Sequence, residues 1–199
     1  MALLSITSPH SQAPGNNGAF MRQVIYATIP GVAALTYFFG WGTLINIALA
    51  ITVALFSEAL VLKLRKKPIL FYLSDYSAVV TAILLAIAIP PTAPWWLTLV
   101  AVSFAIIIAK HLYGGMGYNP FNPAMIGYAL MLVSYPVEMT SWLPALEVDG
   151  ARHSELDFYA ALSAIFTSNI NGESIDAFTM ATPLDTLKTA SRNALTFGA

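Results

Sequence analysis

The chain has 199 residues, 57% of them hydrophobic and only 10% charged, with a net charge of −1 and a mean hydropathy of +0.69. A typical soluble domain carries roughly 25% charged residues, so nine basic and ten acidic side chains cannot cover a water-facing surface, and the chain reads as an integral membrane protein. The absence of cysteine excludes disulfides, thiolate catalysis, cysteine-ligated iron–sulfur clusters and Cys-type zinc sites, and no basic patch resembles a nucleic-acid surface.

The first twenty residues, MALLSITSPHSQAPGNNGAF, are polar and contain Gly and Pro. They lack the basic start and apolar core of a cleavable leader, so the first membrane helix is expected to act as the insertion signal. Five apolar runs follow, at 24–39 (with Pro30-Gly31 inside), 43–62, 77–89 (closed by Pro90-Pro91), 95–109 and 123–133. A spanning helix needs about twenty apolar residues. The last three runs are shorter and read as short or broken membrane helices, tolerated where they line a protein cavity.

Basic residues set the expected orientation. KLRKK at 63–67, Arg22, and Lys110 with His111 fall on one side, which the positive-inside rule makes cytoplasmic. The turns GWG and PPTAP carry no charge and fall outside. The chain therefore divides into a five-helix transmembrane half-bundle, 1–136, and a periplasmic segment, 137–199, which holds eight of the ten acidic residues. An odd number of helices followed by an exposed tail suggests one half of a larger unit or a truncated chain. Within that tail, 163–166 reads as part of a short surface helix and TSNINGESID as a loop. TPLDTLKTA can begin a helix, with Thr182 as N-cap, Pro183 as first residue and Asp185 in the first turn.

Chemistry-bearing residues are few. Gly114, Gly115 and Gly117 in KHLYGGMGYNPFNPAM permit a sharp bend or a close approach to a flat ligand. Asn119 and Asn122 offer amides to a broken helix end, and Pro123 suits a first helical turn. This stretch reads either as a tight loop or as a ligand-lining hairpin at the membrane boundary. Glu58 reads either as a functional membrane carboxylate or as one that pairs or snorkels at the basic end, near Lys63. Asp75 is expected to cap the third helix. The three histidines have no paired spacing for a metal, no serine has a triad partner, and the tryptophans fit an outer interfacial belt.

Six blocks in chain order carry a resemblance: SPH at 8–10, LSDYSAVVTA at 73–82, AIPPTAPWW at 88–96, AKHLYGGMGYNPFNPAM at 109–125, YPVEMTSW at 135–142 and DAFTMATPLD at 176–185. Together they resemble the RnfD family, the D-type subunits of the Rnf (Rsx) ion-translocating electron transport complexes. The B-type subunits of the sodium-pumping NADH:quinone reductase are a related family. The resemblance implies FMN joined through a phosphodiester bond to a threonine by a periplasmic flavin transferase that reads D-x-x-[ST]-G-[AS]-[ST]. Asp176, Thr179, Ala181 and Thr182 occupy the fixed positions, with Thr182 as acceptor, while Met180 departs from the glycine. It further implies non-covalent riboflavin near the bundle interior and a quinone-pocket-like region at Gly114, Gly115 and Asn119. The implied fold is all-α and membrane-embedded, ten helices in two inverted urea-channel-like halves, of which this chain matches five helices and the flavin segment. The implied partners are the other subunits of the complex, in a bacterial inner membrane. Competing readings are a channel or transporter half-bundle and a scaffold without its own redox group.

Overall fold

A computed structural model describes residues 17–115, 117–143, 157–170 and 173–174. Each of the five apolar runs lies on a helix. These are α1 (Asn17–Phe39), α2 (Gly42–Leu64), α4 (Ser77–Ala86), α5 (Trp95–Phe104) and α6 (Pro123–Ser134). Short helices α3 (Ile69–Leu73) and α7 (Pro136–Thr140) join or extend them. Beyond its α-helical part, α5 runs on as a π-helical segment, Ala105–Leu112.

Local chemistry sets the boundaries. Asn122 Oδ1 accepts the N–H of Ala124 at 3.0 Å and Pro123 takes the first helical position, so α6 starts there. Asp75 Oδ1 accepts the N–H of Ser77 at 2.8 Å, the expected cap of α4. The apolar run at 77–89 stops being helical after Ala86, because the chain must turn into Pro90-Pro91, whose rings cannot continue the ladder.

α2 is the centre of the fold and packs against α1, α4, α5 and the π segment, while α6 closes the group against α4, α5 and the π segment. The contacts are lined by small residues. Ala50, Ala54, Ala82, Ala101 and Ala105 are wholly buried. In an apolar medium, small side chains bring backbones close and let dispersion hold helices together. Two glycines mark the tightest points. A Cβ on Gly42 would stand 2.4 Å from the Pro91 carbonyl oxygen, and one on Gly127 would stand 2.8 Å from that of Ala101. Asn46, fully buried in α2, donates to the carbonyls of Pro91 (3.0 Å) and Pro90 (3.3 Å) and accepts from the Thr98 hydroxyl (3.3 Å). One amide thus pins the diproline turn and α5 to α2.

Two helical stretches, Gly42–Leu64 and Trp95–Leu112, are long and apolar enough to cross a membrane. Only 28% of the most apolar part of the first is buried. A core helix of a water-soluble protein would hide that surface, whereas here Phe56, Leu60 and, on α6, Val133 point outward. The chain is a membrane protein, mostly helical, with its polar groups gathered at its ends. One end carries Lys63, Arg65, Lys66 and Lys67. At the other, Trp142 meets Phe39, Trp41 meets Phe158 and Trp96 meets Tyr135, with ring centroids 4.9–6.1 Å apart.

The polar tail departs from the sequence reading. Helix α8 covers Phe158–Thr167, longer than the 163–166 piece, and buries Ala161, Ala164 and Ile165 while packing on α2, so it is not merely superficial. Alanines at three- and four-residue spacing make that face flat enough to dock, a signal too faint beside the surrounding polar residues. The stretch read as a loop holds two-residue antiparallel strands, β1 (Asn169–Ile170) and β2 (Glu173–Ser174), with Asn169 opposite Ser174.

Candidate functional site

The π-helical segment makes the site. In an α-helix, adjacent residues diverge around the axis, and only positions three or four apart share a face. Here the consecutive residues Lys110 and His111 are both buried and both approach the same carboxylate. The wider π turn, a feature that recurs at functional sites, removes the divergence.

That carboxylate is Glu58, in α2. Lys110 Nζ donates to Glu58 Oε1 at 2.6 Å and Oε2 at 2.8 Å, with side-chain exposures of 4% and 1%. It also donates to Ser77 Oγ at 2.7 Å, and Ser77 in turn donates to Asp75 Oδ1 at 2.6 Å. Nε2 of His111 lies 3.5 Å from Glu58 Oε1 and is buried without a hydrogen-bond partner. From the basic loop, Arg65 Nη1 donates to the His111 carbonyl at 3.2 Å, placing a cation at the negative end of the helix. Desolvating these charges is tolerable only because each is paired within one network.

A cavity of about 310 Å³ opens beside the cluster, walled by Glu58, Lys110, His111, Asp75, Lys67, Leu62, Tyr72, Tyr118, Gly114 and Gly115. Gly114 and Gly115 hold φ values of +114° and +105°, conformations costly for any side-chain-bearing residue. The sequence-expected glycines therefore do line a pocket. Asn119 does not wall it; its amide donates instead to the Phe121 carbonyl at 2.7 Å. Glu58 pairs, as one of its two readings held, but with Lys110 rather than with the neighbouring basic loop. Lys110, assigned with the loop charges, is inside. No sequence signal joins two residues 52 positions apart, although an intramembrane carboxylate and a lysine at a helix end are the two groups such a search would test first. Asp176, Thr179, Ala181 and Thr182 lie outside the described residues.

The chain matches the NQR2, RnfD, RnfE family over residues 4–198, and it belongs to that family. Among its relatives, the D subunit of the ion-translocating oxidoreductase complex of Alcanivorax borkumensis is 58% identical over 189 residues, 95% of this chain and 52% of that protein. Proteins of the same name from Aliivibrio salmonicida and Salmonella arizonae are 50% and 51% identical, over 98% and 94% of this chain and 57% and 54% of theirs. The chain thus spans about half the length of these relatives.

Proposed function

We propose that the chain is the flavin-carrying membrane subunit of an ion-translocating, ferredoxin–NAD-linked oxidoreductase complex. In this reading it supplies five crossings, the first half of a ten-helix inverted-repeat bundle. FMN is held on Thr182 through a phosphodiester on the periplasmic side of a bacterial inner membrane, and riboflavin is a candidate second, non-covalent group. The observation that carries the reading is identity of 50–58%, over at least 94% of the chain, to proteins named as the D subunit of such a complex. The acceptor pattern Asp176, Thr179, Ala181, Thr182 falls inside the matched region.

When bound, FMN supplies the electron-carrying chemistry, and the chain supplies position and surroundings. Orientation follows from the basic end and the tryptophan end, which the positive-inside rule and interfacial aromatic preference put in cytoplasm and periplasm respectively. Helix α8, which begins beside Trp41, leads into the segment that carries Thr182. The other subunits of the complex and a periplasmic flavin transferase are the partners this reading requires.

The test is co-expression with the transferase, a denaturing gel and ultraviolet excitation. A fluorescent band that Thr182→Val abolishes is the expected result. A dark wild-type band with active transferase present overturns the flavin assignment and leaves a transporter half-bundle or a scaffold, which solute flux into liposomes distinguishes.

A further inference from the structure

The Lys110 ammonium sits in a cage of oxygens rather than at a solvated surface. Both carboxylate oxygens of Glu58 and the Ser77 hydroxyl lie 2.6–2.8 Å from Nζ. Because Ser77 spends its hydrogen on Asp75, its lone pairs face the lysine. A carboxylate and a neutral hydroxyl, with a second carboxylate one hydrogen bond behind, form the oxygen-only set that hard cations take. A tethered ammonium carries the same charge as a free alkali cation. His111 Nε2, buried and without a partner, faces the same cavity, and a buried polar atom of that kind calls for one.

We propose that this cage is an exchange site for one small alkali cation, in which the Lys110 ammonium and the mobile ion compete for Glu58 and Ser77. The purpose of such a site rests on the ion-translocating reading above; its chemistry does not. Leaving Glu58 with no positive partner at this depth is costly, so Lys110 yields only as another cation arrives, and the cage is never left without positive charge. The flexible four-carbon stem of lysine allows the swing. The cavity of about 310 Å³ receives the displaced head, since one water occupies about 30 Å³ of liquid. Gly114 and Gly115 give that wall no side chains to obstruct it.

The test is equilibrium binding of radioactive sodium to the full chain in lipid nanodiscs. Wild type is expected to bind saturably, with one ion per chain. Glu58→Gln should weaken binding about tenfold or more, and Lys110→Met should tighten it severalfold. Ser77→Ala, which keeps the ion pair and hence the fold, should weaken it severalfold. No saturable binding to wild type, or equal affinity in wild type and Ser77→Ala, overturns the site. So does binding confined to Lys110→Met, since the site would then exist only where the lysine is gone. Gel fluorescence of the same preparations reads the flavin assignment separately: a fluorescent chain without sodium binding rejects the exchange site alone, and sodium binding by a dark chain rejects the flavin alone.

Discussion

The ammonium of Lys110 lies 2.6 Å from Oε1 of Glu58, joining the end of the fourth apolar run to the second across 52 residues, with both side chains buried. The pair is also the fold's most exposed electrostatic liability. Removing one partner strands the other in a low-dielectric setting at a cost of about 3–5 kcal/mol, whereas removing both together costs much less. Glu58→Gln and Lys110→Met should each lower the unfolding transition in detergent, and the double variant should recover a large part of the loss. A double variant as unstable as the sum of the singles would mean that the two residues act independently.

A second prediction concerns the diproline turn. Asn46→Leu removes the donors for the Pro90 and Pro91 carbonyls and the acceptor for Thr98. It should destabilise by about 1–3 kcal/mol, the usual penalty for stranded buried polar groups. Thermal unfolding by tryptophan fluorescence, with Trp95 and Trp96 at the adjoining start of α5, is a direct readout.

Glycine substitutions should divide by location. At Gly42, a methyl group meets the Pro91 carbonyl oxygen at 2.4 Å, so Gly42→Ala must push α2 from the turn and should cost about 1–3 kcal/mol. At Gly31, nothing lies within 4 Å of an added Cβ, and Gly31→Ala should leave stability unchanged or raise it by up to about 1 kcal/mol through helix propensity. Comparing the two unfolding midpoints separates close packing from backbone preference.

Helix existence was legible and helix partnership was not. The 43–62 run, long, apolar and free of Gly and Pro, maps onto α2 within two residues at either end. The caps at Asp75 and Asn122 were legible because a carboxylate or amide two residues before an orphan N–H is a local signal. The π segment was not, since nothing in AIIIAKHL distinguishes a wider turn from an α-helical one. Its inward Lys110 therefore read as an ordinary terminal charge. Helix α8 escaped for the opposite reason: its docking face is made of alanines, whose pattern shows only once α2 stands opposite.

Sidedness has a direct test, because the chain contains no cysteine. Single substitutions Phe121→Cys and Tyr159→Cys fall at exposed positions, in the glycine-containing loop and on α8 respectively. An impermeant maleimide added to intact cells should label Tyr159→Cys and spare Phe121→Cys until the cytoplasm is opened. The reverse pattern would invert the proposed orientation and remove Thr182 from the side where the transferase works.

The wide-turned end of α5 makes chain length, as much as side-chain identity, a condition for the charged cluster. Two neighbouring residues share one target only while the coil there is slack. Deleting any single residue between 105 and 109 would wind the segment back to a tighter helix and rotate Lys110 and His111 away from Glu58, although every ligating group would still be encoded. In this stretch, a missing alanine should therefore be as damaging as a missing lysine.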